Sequence, residues 1–213
     1  MPTASCTSTT ATRRARVPEK TAERTGPVNH PAISRNHLHY AERLSARPLH
    51  TIDLAVIHCT ELPDLALARR YGERIHYPES GTGNSGHYYI ERNGYVHEWV
   101  PPERIAHHVR GRNERSIGIE LVNRGRYPDW FDTRRQEMKE PYCEAQVESL
   151  CQLLLLLTIE LNGLKFVAGH DSLDTETVPA TDDPTRLVRR KVDPGPLFPW
   201  DALLLRTGLQ RYP

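Results

Sequence analysis

The chain has 213 residues, 38% of them hydrophobic and 26% charged, with a formal net charge of +1. That balance suits one soluble globular domain of roughly 150 to 170 residues plus an extension. It excludes the broad basic footprint of a nucleic-acid binder, and no stretch approaches the roughly 18 consecutive apolar residues of a membrane helix.

Residues 1–48 differ from the rest. Met1 to Arg16 is rich in Ser, Thr, Ala and Arg, and the residues after it carry Arg, Pro and His without periodicity. This segment is expected to be a flexible N-terminal extension, with the folded domain over 49–213. Ile52 to Cys59 is a mostly apolar, central strand. Pro63-Asp64 starts a helix that runs to about His76, with Asp64 as N-cap. Gly81 to Gly86 is a loop. His87 to Glu91 and Tyr95 to Val100 are strands joined by an Asn93-Gly94 hairpin turn. Ile117 to Val122 is another strand. Tyr142 to Leu161 is a long helix stopped by Asn162-Gly163, its greasy Leu153 to Leu157 core interrupted by nearby polar residues. Phe166 to Gly169 is the last inner strand, 171 to 190 a long polar loop, and Trp200 to Thr207 a short closing helix. Strands interleaved with helices give an α/β class with a mixed central β-sheet flanked by helices.

Cys6, Cys59, Cys143 and Cys151 show no CxxC pairing. Cys143 and Cys151 are eight apart on one helix, which separates their Cα atoms by ~12 Å, too far for a disulfide. They read as core or free thiols and fix no compartment.

His58 and His170 each end a predicted strand, where an apolar core meets a cleft. Asp193 precedes Pro194-Gly195-Pro196, a turn whose restricted backbone holds a carboxylate rigidly. Two imidazoles and a carboxylate suffice for a catalytic zinc with a fourth position open to water. Each residue alone has an ordinary reading as a structural histidine or a turn aspartate; the joint pattern points to metal. Period-two alternation puts Glu120 on the face opposite Ile119 and Leu121. A carboxylate inside an apolar strand needs a partner or a task; it either pairs with Arg or solvent, or accepts a proton from an attacking water. Lys191 lies two residues before Asp193, on the same side of an extended segment, as an ordinary surface lysine or an oxyanion stabiliser. Of His107 and His108 at most one faces a given site, and His87 opens a strand where it is either buried and hydrogen-bonded or useful to substrate. His30, His37, His39 and His50 fall in or beside the irregular N-terminal part and carry no assigned role.

Val56-Ile57-His58-Cys59-Thr60, Ser85-Gly86-His87-Tyr88-Tyr89-Ile90, Ala106-His107-His108, Ser116-Ile117-Gly118-Ile119-Glu120-Leu121, Gly169-His170 and Arg190-Lys191-Val192-Asp193-Pro194-Gly195-Pro196 occur in that order. Together, over about Ile52 to Trp200, they resemble the zinc-dependent N-acetylmuramoyl-L-alanine amidases of the type-2 amidase family, related in fold to peptidoglycan recognition proteins. The resemblance implies hydrolysis of the amide between N-acetylmuramic acid and L-alanine in peptidoglycan or muropeptides, as in cell-wall turnover. It implies Zn2+ on His58, His170 and Asp193, Glu120 as general base, Lys191 as oxyanion stabiliser, and His87 and His108 as substrate-lining residues. The Asp ligand with Lys two residues before it resembles the anhydromuropeptide-amidase branch. The 171–190 stretch is longer than that branch leads one to expect; it holds Asp171, Asp174, Asp182 and Asp183 as alternative carboxylates and would shape a lid or groove.

Two other readings stand beside this one: a non-catalytic peptidoglycan-binding module, in which the metal ligands are typically degraded, and a zinc hydrolase of another amide. A monomer is expected, since no heptad appears. Thr3-Ala4-Ser5-Cys6 before a Thr/Ser run looks like the end of a bacterial lipoprotein signal. If a leader preceded it, Cys6 would be lipidated, which favours the cell envelope or periplasm over the cytoplasm; a polar tail with a chance Cys is the alternative.

Overall fold

The structure is a computed structural model that describes residues 31–213. The Thr3 to Cys6 start and its lipidation reading lie outside those residues. In chain order the main elements are β1 (Ile33–Arg35), β2 (Leu54–Cys59), α1 (Leu65–Gly72), β3 (Tyr88–Ile90), β4 (Val96–Glu98), β5 (Ser116–Leu121), α2 (Glu144–Leu161), β6 (Phe166–Gly169), α3 (His170–Leu173), β7 (Thr177–Pro179), β8 (Leu187–Arg189), α4 (Trp200–Thr207) and β9 (Gln210–Arg211). Seven strands form a mixed sheet in the order β1-β4-β3-β5-β2-β6-β9. β3 and β4 pair antiparallel across the expected Asn93-Gly94 turn, where Gly94 takes φ +86°. The other pairings in this sheet are parallel.

Alternation along the two central strands sorts the core from the site. Ala55 and Ile57 of β2 and Ile117, Ile119 and Leu121 of β5 face α2, where Leu150, Leu153, Leu154 and Leu157 meet them. Each of the Ile and Leu side chains contributes about 2 kcal/mol by burial. Leu54 and Val56 take the opposite face, in a small cluster with Val109 and Ala168. α2 starts at Glu144, behind a capping box between Cys143 and Gln146. Gln146 Nε2 also donates to Ile90 O at 3.1 Å and Val122 O at 2.9 Å, which ties the helix to two strand ends. Asn162, with φ +51°, takes the left-handed position that ends α2. No helix among the described residues is long and apolar enough to cross a membrane.

The structure departs from the sequence reading in three places. Residues 31–48, expected in a flexible extension, pack on the domain: β1 pairs with β4, and Leu38, Tyr40 and Leu44 are buried with Trp99 and Leu62. Arg47 is 7% exposed and donates to Pro102 O, Asn113 O and Ser116 O, each at 2.8 Å. These are isolated anchors, not a periodic pattern, so the sequence carried no signal of them. α1 ends at Gly72, not His76; the Tyr40 hydroxyl donates to Gly72 O at 2.6 Å, and the chain then turns so that Tyr77 bridges Thr82. The polar 171–190 loop contains α3 and a β7–β8 hairpin.

Candidate active site

Strand register brings the singled-out residues together. His58 is the cross-strand partner of Glu120, and Ile57 is the partner of Gly169, so His170 emerges from β6 beside His58. All three stand at or near the C-terminal ends of neighbouring parallel strands, where open α/β sheets bind ligands. Asp193 arrives from the segment after β8. Its carbonyl accepts from Asp171 N–H at 2.8 Å, and the Tyr142 hydroxyl donates to Pro194 O at 2.7 Å. Upstream, the Arg126 guanidinium donates to Arg189 O at 3.0 Å and Arg190 O at 3.2 Å, while Glu61 holds it in a buried ion pair at 2.7 Å.

His58 Nδ1 and His170 Nδ1 are 3.0 Å apart, and each lies 3.1 Å from Asp193 Oδ2. The residues are only 2–3% exposed. Asp193 Oδ1 is buried without a hydrogen-bond partner. Three lone-pair donors so close repel one another unless protons or a metal cation lie between them. Zn–N and Zn–O bonds of roughly 2.0–2.2 Å put tetrahedral ligand atoms about 3.3 Å apart, within a few tenths of these separations. The donor set therefore fits zinc. Burial, and then the neighbouring His170, lower the His58 pKa to about 4, so the ring is neutral and able to ligate. Burial alone would raise Asp193, but His170 and His58 outweigh it and hold the carboxylate well below its usual range.

Glu120 and Lys191 line the same cleft, of about 830 Å³, with His58, His108, His170 and Asp193. Ile119 and Leu121 sit in the core behind, as alternation requires. Burial and the Asp193 charge raise Glu120 to about 8, opposed by Lys191. The rim adds residues that the sequence did not single out. Tyr77 packs edge-on to His107 at 4.8 Å between ring centroids, and Tyr71 to Trp130 at 6.4 Å. Tyr71 comes from the last turn of α1 and Tyr77 and Trp130 from two separate loops, and nothing in their local sequence distinguishes them from core aromatics.

His87 does not reach the cleft, which corrects its substrate-lining assignment. It is fully buried: Nδ1 accepts from Gly118 N–H at 3.0 Å, and Nε2 faces Arg104 O at 3.1 Å. Burial, then Arg47, hold it well below the usual histidine range. His108 does line the cleft, and its Nδ1 stands 3.0 Å from His58 Nε2.

With this geometry in hand, comparison with known proteins is decisive for the family. A family model described as N-acetylmuramoyl-L-alanine amidase (Amidase_2) matches residues 48–196, well over half of the chain. The chain belongs to the N-acetylmuramoyl-L-alanine amidase family. N-acetylmuramoyl-L-alanine amidase AmiD of Escherichia coli strain K12 is 32% identical over 144 residues, which cover 61% of this chain and 46% of AmiD. The chain thus spans about half the length of that relative. Among solved structures, the endolysin amidase LysCS of Clostridium intestinale URNW has a TM-score of 0.59 at 20% identity, covering 85% of this chain and 99% of that one. AmiD from E. coli, solved with the substrate anhydro-N-acetylmuramic acid-L-Ala-D-gamma-Glu-L-Lys, has a TM-score of 0.57 at 24% identity, covering 79% and 61%. The expected α/β class, a mixed central sheet flanked by helices, is the fold this family member shares with them.

Proposed function

We propose that this amidase-family chain hydrolyses the amide between N-acetylmuramic or anhydromuramic acid and L-alanine in peptidoglycan or its soluble fragments. The observation that carries the reading is the convergence of His58, His170 and Asp193 on one point, in the same cleft as Glu120 and Lys191. A zinc ion on those three donors would supply Lewis acidity, lowering the pKa of a water and polarising the scissile carbonyl, and its charge would offset that of Asp193 at Glu120.

The chain's own residues then have distinct tasks. The water oxygen bonds to the carbonyl carbon and the C–N bond breaks. Glu120 accepts the water proton as a carboxylate and then, as a carboxylic acid, passes it to the departing L-alanine nitrogen; its buried setting makes the carboxylate a stronger base than an exposed one while leaving the acid able to protonate an amine. Lys191 offers a cation to the negative charge that develops on the carbonyl oxygen. The aromatic rim gives flat apolar faces to sugar and peptide. The products are a lactyl carboxylate and a stem peptide with a free amino terminus.

Mass spectrometry of an anhydromuropeptide incubated with the protein tests this. Release of intact stem peptide, with no cleavage of a matched peptide lacking the muramyl sugar, is the expected result. Cleavage of the sugar-free peptide alone would move the activity to another amide. Tight muropeptide binding without turnover would make the chain a binding module.

A further inference from the structure

His58 and His170 both meet the site through Nδ1, so each ring carries its proton on Nε2 when a metal is held. What receives that proton differs. His170 Nε2 faces Asp174 Oδ2 at 3.9 Å, beyond hydrogen-bond reach. His58 Nε2 is 3.0 Å from His108 Nδ1, His108 Nε2 is 3.2 Å from Ser116 Oγ, and the Ser116 hydroxyl donates to Arg112 O at 2.8 Å. One proton assignment satisfies the whole chain. His58 donates to His108, His108 donates to Ser116, and Ser116 donates to a backbone carbonyl that only accepts.

The middle of this relay is fixed in place. The His108 ring lies against Gly118, where an added Cβ would stand 2.6 Å from the ring. Its backbone N–H donates to Asn113 Oδ1 at 3.1 Å, and His87 packs edge-on behind it at 5.5 Å. His108 therefore cannot swing toward a substrate without leaving a buried donor on His58 unpaired.

Resting on the zinc reading above, we propose that His108 is a positioning residue: with Ser116, it locks His58 in the Nε2–H tautomer and aims Nδ1 at the metal. It acts through His58 and takes no part in proton transfer to the substrate. Such outer partners typically control metal affinity by 10- to 100-fold.

The test is zinc affinity of the full chain, measured by competition with a chromophoric chelator. It compares wild type with H108L, H108N and S116A, and the unfolding of each metal-free protein is followed alongside. H108L keeps bulk but offers no acceptor, and binding should weaken by about 10- to 100-fold. H108N places an oxygen near the Nδ1 position and should keep most of the affinity. S116A removes the acceptor for His108 and should give an intermediate loss. The visible spectrum of the cobalt form should change in H108L and not in H108N. H108L at wild-type affinity, or H108N as weak as H108L, overturns the proposal. Should H108L not fold, S116A decides: wild-type affinity there overturns it equally. A wild-type protein without zinc affinity would instead overturn the zinc reading itself.

Discussion

Glu61→Ala should destabilise the protein by about 3 kcal/mol. Glu61 and Arg126 are 6% and 3% exposed, and the carboxylate takes three contacts from Arg126: Nε at 2.7 Å, Nη2 at 2.8 Å and the backbone N–H at 3.2 Å. Removing one partner of a buried pair typically costs 3–5 kcal/mol, because the other charge is left uncompensated. Here Gln136 Oε1 and the carbonyls of Arg189 and Arg190 remain as acceptors, at 3.0 to 3.2 Å, which puts the loss near the lower end of that range. Alanine is the right probe. Glu61 has φ +50°, and glycine would relieve that left-handed backbone and mask part of the cost. The loss should appear in urea denaturation as a lower midpoint with an unchanged slope. Since Arg126 pins the two carbonyls just before Lys191, zinc affinity should fall as well. A loss below about 1 kcal/mol, the worth of an exposed pair, would refute the reasoning.

Glu120→Gln should reduce amide hydrolysis by ~10²- to 10⁴-fold while zinc stays bound, read by steady-state kinetics beside metal analysis; full rate would remove Glu120 from the proton path. Leu154→Ala, at the fully buried centre of α2, should cost about 2–5 kcal/mol in the same urea experiment. The metal-free protein should lose stability as pH falls from 6.5 to 4. His58 has a folded value of about 4 against an ordinary 6.5, so within that window the unfolded chain binds a proton that the folded chain refuses. The loss from His58 reaches about 3 kcal/mol and levels off below pH 4. Glu120, raised to about 8, opposes this across the same window by an amount comparable to the His58 loss. The net fall therefore comes from His87 and His108, which are also held well below the usual range and act in the same direction as His58. Urea midpoints that stay flat or rise on acidification through that window would contradict this.

The parts legible in the sequence were those with local, periodic causes. β5 alternates between a core face and a cleft face, so Glu120 was separable from Ile119 and Leu121 by spacing alone. α4 and the Asn93-Gly94 turn carried helix and hairpin signals that tertiary context left intact. His58, His170 and Asp193 were visible as a strand-end pair and a rigid-turn carboxylate; sheet register brings the two histidines side by side, and Asp193 joins them from the segment after β8, where its carbonyl accepts from Asp171 N–H. What stayed hidden depends on long-range partners. β1 is three residues long and exists through its pairing with β4. The β7–β8 hairpin is short and largely exposed. Glu61 and Arg126 are 65 residues apart, so neither reads as half of a buried pair. His87 sits at the start of a strand whether it faces the cleft or the interior; only its contacts with Gly118, Arg104 and Arg47 decide that it is interior.

The central claim is that the His58, His170 and Asp193 cluster holds the zinc on which amide cleavage depends. Its most direct test measures zinc content and stem-peptide release on the same preparations of wild-type protein and Asp193→Ala, before and after chelation. One zinc per chain is predicted for wild type, with release abolished by the chelator and restored by added zinc, and with both zinc and release lost in the variant. Release that persists in zinc-free protein, or a variant that keeps its zinc, would contradict the claim.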